Sequence, residues 1–244
     1  MIQKGESMEI QFSFDLDQAQ RDCILNSTFY LEWLNNLQDG IDISSIEFQS
    51  VDFIYRNGIP RPLFIKFIVD AKDAEGHKLP GIVLLRGPAV CVLPILYTED
   101  EPYVVLVRQA RLGPGILGNL EIPAGILDVD VSLKELAAKE LKEETGLDVE
   151  LHQLKDLLND FGSVHSRLYT SVGISDESLA FYLYERSMEA GDIELLQGAI
   201  RQNEHENEFI RVEMMPISAA KVHLQDSKSI LAILMYESLK WSQR

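Results

Sequence analysis

The spacing of apolar residues predicts a small helix-plus-sheet subdomain over residues 1–85. Between residues 15 and 39, apolar side chains recur near the spacing of a helix, and Asp39-Gly40 ends this stretch. Residues 47–56 and 62–70 instead alternate between apolar and polar side chains, which is typical of strands with one face in a core. These elements are too few for a large sheet, so the subdomain is expected to be small.

The pattern that follows predicts a larger domain over residues 86–244. The runs GIVLLRG, AVCVLPIL and YVVLVRQA are almost continuously apolar, which favours strands covered on both faces. A helix is predicted from about Ser132 to Thr145, because Ser132 and Glu135 form a capping box and Gly146 suits the position after the helix. Further strands are predicted at 166–171, 179–185 and 208–214, and a last amphipathic helix at 226–240. The fold class is therefore α+β, with a mixed sheet between helices.

Composition removes several classes of function. The chain has 22 Lys+Arg against 39 Asp+Glu, a net charge of −17, so a nucleic-acid partner is not expected. Its two cysteines, Cys23 and Cys91, cannot form a disulfide framework. Neither a signal peptide nor a membrane-spanning run is predicted. We therefore expect a soluble cytoplasmic protein with no membrane partner, and an organellar address stays open.

One predicted helix, LKELAAKELKEETGL, carries acidic residues where it should be apolar. On a wheel of about 100° per residue, Leu136 and Leu141 mark the apolar stripe, and Glu140 and Glu144 fall in its middle. Glu143 flanks them. Because burying an unpaired carboxylate costs several kcal/mol, these side chains need a positive partner.

A divalent cation is one partner that this spacing suits. Glutamates at positions i, i+3 and i+4 can direct oxygen ligands to one point, and oxygen ligands favour Mg²⁺ or Mn²⁺. The alternative is an ordinary acidic helix whose glutamates lie in water at the edge of the domain. The flanking sequence favours the metal site.

The residues from Gly125 to Leu147 resemble the Nudix box, G-x5-E-x7-R-E-U-x-E-E-x-G-U, where U is a bulky aliphatic residue. The spacing matches throughout, and seven of the nine defined positions agree. Two further segments, VRQARLGPG…LEIPAGILD and SVGISDE, resemble the ADP-sugar pyrophosphatase branch of this family.

This resemblance implies a fold and an activity. The fold would be a Nudix-type α/β/α sandwich with a mixed sheet, preceded by the small N-terminal subdomain. The activity would be metal-dependent hydrolysis of the pyrophosphate bond of a nucleoside diphosphate sugar, of the ADP-ribose or ADP-glucose type, to AMP and a sugar phosphate. In that branch the N-terminal subdomain packs across a homodimer and contributes to the substrate pocket.

The resemblance also implies the metal ligands. Glu140 and Glu144 would bind Mg²⁺ or Mn²⁺, and Glu143 would assist them. The carbonyl oxygen of Ala124, next to Gly125, would supply a further ligand.

Three more residues take roles from the same resemblance. Glu177, in the SVGISDE loop, matches a glutamate that acts as the general base. Arg111 matches an arginine that contacts substrate, and Glu121 aligns with a glutamate just before the box. Both are assigned to substrate binding.

Two positions depart from the box. Val131 replaces its first glutamate and Lys139 replaces its arginine. In the family these two residues typically pair, so here the loop is expected to be held by apolar packing. A lysine cannot reproduce the planar, two-point contact of an arginine. The departures keep two other interpretations open: a module that binds a nucleotide sugar without turnover, and a dimeric scaffold with a vestigial site.

Overall fold

The computed structural model describes residues 8–99, 101–127, 131–203 and 208–242, and these divide into two compact units. The first contains the described residues up to Pro88 together with Tyr169–Ser178. The second contains Ala89–Leu168 and the described residues from Leu179 onward. The division that the sequence predicts between residues 85 and 86 stays a prediction.

The first unit is built on a sheet of order β1-β2-β3-β4. Its strands are β1 (Glu9–Phe12), β2 (Asp42–Arg56), β3 (Ile59–Lys72) and β4 (Ile82–Leu85). Both predicted strands are confirmed, and they extend into a long antiparallel hairpin. Asn57 and Gly58 turn this hairpin with φ angles of 52° and 78°, as a tight two-residue turn requires.

The single helix predicted over residues 15–39 is wrong. The segment forms two helices, α1 (Gln18–Leu25) and α2 (Thr28–Asn35). The break has a local cause, since the Asn26 side chain donates a hydrogen bond to the Asp22 carbonyl and Ser27 caps the second helix. Polar side chains of this kind compete with the helical backbone for hydrogen bonds.

The second unit contains a sheet of order β10-β11-β5-β6-β13-β12, to which β7, β8 and β9 add through β6, β5 and β11. These strands are β5 (Pro88–Tyr97), β6 (Pro102–Arg111), β7 (Ile116–Glu121), β8 (Ala124–Ile126), β9 (Lys155–Asp156), β10 (Leu168–Tyr169), β11 (Ser178–Ser187), β12 (Ile200–Asn203) and β13 (Glu208–Pro216). Its helices are α3 (Leu133–Thr145), α4 (Leu157–Phe161), α5 (Ala190–Leu196), α6 (Ile217–His223) and α7 (Ser227–Ser242).

This sheet is covered on both faces, as the runs AVCVLPIL and YVVLVRQA predict. The prediction is wrong for GIVLLRG, which forms β4 in the sheet of the first unit and leaves Ile82 55% exposed. Along β5, Cys91 and Leu93 belong to one core cluster, which also contains residues of α4, α6 and α7. Val90 and Val92 belong to the other, which contains Leu136 and other residues of α3. The predicted α+β class and the layered arrangement are confirmed.

A partly buried carboxylate stabilises the end of β11. Glu185 accepts hydrogen bonds from the Tyr97 hydroxyl at 2.6 Å and from the Lys155 ammonium at 2.8 Å, and it pairs with Lys240 at 2.7 Å. Burial raises the pKa of Glu185, but these donors outweigh burial and lower the pKa to about 2. The ionised form of Glu185 is therefore favoured by folding.

We expect Glu185→Gln to lower the free energy of unfolding at pH 7 by about 1–3 kcal/mol, since two ammonium groups lose their shared carboxylate. The folded-state pKa lies below the ordinary 4.5, so the wild-type contribution is present above that value and lost as the pH falls toward 2. Urea unfolding between pH 7 and pH 3 should show the difference between the two proteins shrinking with acid. Glu150→Gln, at an exposed site, is the control; equal stability of Glu185→Gln and wild type would contradict the prediction.

Candidate active site

The site is built on a corner between two short strands. β7 ends at Glu121 and β8 begins at Ala124. β8 pairs with β5, and the Val92 N–H donates to the Pro123 carbonyl at 2.9 Å. The corner is therefore anchored to a central strand of the sheet.

The helix that faces this corner begins and ends where its sequence predicts. Ser132 and Glu135 form the capping box of α3, and Gly146 ends it with a left-handed φ of 81°. Arg201 of β12 lies against Gly146 and donates to the Thr145 carbonyl at 3.3 Å, which places a positive charge at the negative end of the helix. The sequence gives no signal that Arg201 takes this role.

Glu144 is buried in the apolar face of α3, as the wheel predicts, and is 6% exposed. The Ala124 N–H donates to its carboxylate at 3.1 Å. Burial raises the pKa of Glu144 well above its usual range, and the nearby Glu140 carboxylate raises it further, against the lowering effect of the Ala124 N–H. An ionised Glu144 therefore calls for a cation.

Glu140 lies one turn before Glu144 and packs directly over the backbone of Gly125. A Cβ added at Gly125 would fall 2.2 Å from Cδ of Glu140, so only glycine leaves room for this carboxylate. The box glycine is thus explained by close approach of a side chain, since its φ is not in the left-handed region.

Glu143 lies toward solvent, with its side chain 42% exposed. Lys139 pairs with Glu143 at 3.4 Å and lies 3.7 Å from Glu140. Lys139 therefore reaches along its own helix to these two glutamates. Val131 is 38% exposed, and residues 128–130 of the loop lie outside the described residues, so the expectation that apolar packing holds the loop stays a prediction.

Glu121 is 2% exposed, and both of its oxygens carry ion pairs. The Arg111 guanidinium pairs with Oε1 through two nitrogens, at 2.7 and 2.8 Å, and the Lys228 ammonium pairs with Oε2. Lys228 also pairs with Asp226 at 2.9 Å. The sequence predicts a helix at 226–240, but it does not show what Lys228 contacts.

Glu177 belongs to the first unit. Its carboxylate pairs with the Arg86 guanidinium through Oε1 and accepts the Thr170 hydroxyl at 2.7 Å through Oε2. The preceding residue, Asp176, accepts the backbone N–H groups of Arg86 and Gly87. The predicted general base therefore lies in a loop whose conformation is fixed by several hydrogen bonds.

Within the second unit, the structure thus brings together five of the predicted residues: Arg111, Glu121, Ala124, Glu140 and Glu144. Glu140 and Glu144 offer hard carboxylate oxygens, and the two side chains repel one another in a largely buried place. This arrangement fits Mg²⁺ or Mn²⁺, which relieves that repulsion and prefers such oxygens.

Comparisons with known proteins show the family to which this chain belongs. A NUDIX domain model matches residues 85–234. The chain is 35% identical over 228 residues to Nudix hydrolase 14, chloroplastic, of Arabidopsis thaliana, covering 89% of this chain and 72% of that protein. It is 31% identical over 196 residues to a GDP-mannose pyrophosphatase of Cronobacter sakazakii, covering 74% of this chain and 86% of that protein.

A solved structure described as an ADP compounds hydrolase superposes with a TM-score of 0.57 at 18% identity, covering 85% of this chain and 98% of that chain. This likeness supports the fold. The chain belongs to the Nudix family, and with its relatives it is a hydrolase. Hydrolases of this family generally use divalent metal ions. In the described part of the chain, none of the helices has the length and apolar character needed to cross a membrane.

We expect Gly125→Ala to displace the Glu140 carboxylate and lower Mn²⁺ affinity by about 10-fold or more, because the new methyl group would occupy the position of Cδ. Manganese binding measured by electron paramagnetic resonance tests this. Gly113→Ala is the matched control, since a Cβ there meets open space. Equal Mn²⁺ affinities of the two variants would remove the steric role of Gly125.

Proposed function

We propose that this protein is a metal-dependent hydrolase that cleaves the pyrophosphate bond of a nucleoside diphosphate sugar, of the ADP-ribose or ADP-glucose type, to AMP and a sugar phosphate. The observation that carries the proposal is the buried Glu144 carboxylate beside Glu140, at the corner that ends with Ala124. An acidic helix that merely faced solvent would leave both side chains exposed.

The metal ligands in this proposal are Glu140, Glu144 and the Ala124 carbonyl, with Glu143 assisting from the solvent side. A divalent ion bound there would neutralise charge on the pyrophosphate and activate a water molecule. The protein's part is to hold the ligands in place before substrate arrives. The close packing of Glu140 on Gly125 and the hydrogen bond from Ala124 to Glu144 support that role.

The substrate-binding cation in this proposal is Arg111. Two of its nitrogens are held by Glu121, and its side chain is 33% exposed. Held in this way, the guanidinium loses little conformational freedom when it meets a phosphate oxygen. Glu121 then acts in substrate binding through Arg111, because both of its own oxygens are already paired.

The general base in this proposal is Glu177. Thr170 and Arg86 fix the orientation of its carboxylate, which keeps partial exposure to solvent. A carboxylate that is held in one orientation and reached by water can accept a proton from an attacking water molecule.

The substrate class rests on the relatives and the resemblance. Proteins similar to this chain include a GDP-mannose pyrophosphatase and an ADP compounds hydrolase. An ADP-sugar is the first candidate and GDP-mannose the second. By the same resemblance we propose a homodimer to which the subdomain of residues 1–85 contributes. We expect it in the cytoplasm, and the chloroplastic relative supports an organelle as the second location.

A binding module without turnover is the second candidate function. The observation that favours it is Lys139, which pairs with Glu143 and lies near Glu140, where the box has an arginine. A cation near two proposed metal ligands would compete with the metal. Retention of Glu144 and Glu177 favours catalysis.

We expect Glu144→Gln to lower AMP release by roughly 100-fold or more. The variant should stay folded, with an unchanged or higher thermal midpoint in EDTA, because the amide oxygen can still accept the Ala124 N–H and a buried charge is removed. The assay follows AMP from ADP-ribose, ADP-glucose and GDP-mannose with Mg²⁺, Mn²⁺ or EDTA. Glu99→Gln, at an exposed site, is the control; full turnover by Glu144→Gln, or turnover in EDTA, would refute the metal role.

For Glu177→Gln we expect kcat to fall about 10²- to 10⁴-fold while KM changes little, because general base catalysis acts on the transition state. Steady-state kinetics on the best substrate measure this split, and Glu75→Gln at an exposed turn is the control. An unchanged kcat would remove Glu177 from the mechanism and leave it as a partner of Arg86.

A further inference from the structure

We propose that Lys228 and Ser229, in the first turn of α7, are positioning residues that hold the β7–β8 corner in its metal-binding conformation. This inference rests on the proposed function, in which the corner supplies the Ala124 carbonyl. Both residues lie more than 80 residues after the end of α3 in the sequence. They nevertheless contact Glu121 and Ile122, which lie just before the box glycine, Gly125.

The first contact is an ion pair. The Lys228 ammonium pairs with Oε2 of Glu121 and with Oδ2 of Asp226, and its side chain is 15% exposed. It is therefore a largely buried cation between two carboxylates. Breaking a buried pair from one side leaves an uncompensated charge, so Glu121 depends on this lysine as well as on Arg111.

The second contact is a hydrogen bond between two uncharged groups, a backbone N–H and a serine hydroxyl. Ser229 is fully buried, and its hydroxyl oxygen accepts the Ile122 N–H at 2.9 Å. The same hydroxyl donates to Asp226, which also accepts the Ser229 backbone N–H at 3.0 Å. The serine is thus held in one orientation by the residue that caps α7.

These two contacts act on consecutive residues of the corner, Glu121 and Ile122. Ala124 follows two residues later, and its N–H holds the Glu144 carboxylate. Because Ile122 is hydrogen-bonded to α7 and the next residue, Pro123, to β5, the backbone that leads into Ala124 has little freedom. A loosened corner would move the Ala124 carbonyl and Glu144 together.

The role differs from that of a ligand or a surface ion pair. Both oxygens of Glu121 are already paired, so Lys228 does not bring Glu121 to the metal as a ligand. Lys221 provides the comparison, because it pairs with Glu237 at 2.8 and 3.0 Å without touching the corner.

The test uses Lys228→Met and Ser229→Ala in the full chain. Each should weaken Mn²⁺ binding by about 10-fold and lower kcat by about 10-fold or more, which is the usual effect of losing a residue that supports a metal ligand. Ser229→Ala changes no charge, so weaker Mn²⁺ binding in that variant must come from geometry. The double variant should lose much less than the product of the two single losses, since both act on one corner.

A second readout does not depend on turnover. The Ile122 amide should exchange with solvent at least about 10-fold faster in Ser229→Ala, as measured by hydrogen exchange, because its acceptor is removed. Lys221→Met is the control and should change neither Mn²⁺ affinity nor Ile122 exchange. Should Lys228→Met fail to fold, Ser229→Ala carries the test alone.

The outcomes separate this inference from the proposed function. Unchanged or tighter Mn²⁺ binding in both variants would overturn the positioning role, even if wild type hydrolyses ADP-sugars. Weaker Mn²⁺ binding and faster Ile122 exchange would support it, even if none of the tested nucleotide sugars is a substrate.

Discussion

The site depends on one constraint: a carboxylate buried in the apolar face of a helix needs a positive partner. Glu144 lies among the residues that pack α3 against the sheet, with Glu140 one turn before it. Burial and this neighbour both raise the pKa of Glu144, so the arrangement without a cation is unfavourable when both groups are ionised. Binding of a divalent ion is favoured for the same physical reason.

The residues around Glu140 and Glu144 provide the space and the hydrogen bond that this pair of carboxylates needs. Gly125 leaves the space that Glu140 occupies, and the Ala124 N–H satisfies one oxygen of Glu144. A second buried carboxylate, Glu121, is fully paired by Arg111 and Lys228. The two glutamates therefore differ in the source of their positive partner. Glu121 is neutralised by cations of the protein itself, whereas Glu144 is proposed to bind a cation from solution.

Short-range signals in the sequence predicted some elements correctly and others not. The capping box of Ser132 and the glycine at 146 correctly predicted both ends of α3, since caps depend on residues a few positions apart. The helix predicted over 15–39 was wrong because apolar spacing persists across Ser27, although polar side chains there end one helix and begin another.

The sequence by itself determined the family, through the box spacing, and the position of Glu140 and Glu144 on the buried face, through helical periodicity. Both are properties of residues near one another in the chain. Only the tertiary structure decided which cations neutralise Glu121 and which residues hold the corner, because Lys228, Ser229 and Arg201 come from distant strands and helices. Contacts between distant segments produce no repeating pattern in a single sequence. They can therefore be identified only from the tertiary structure.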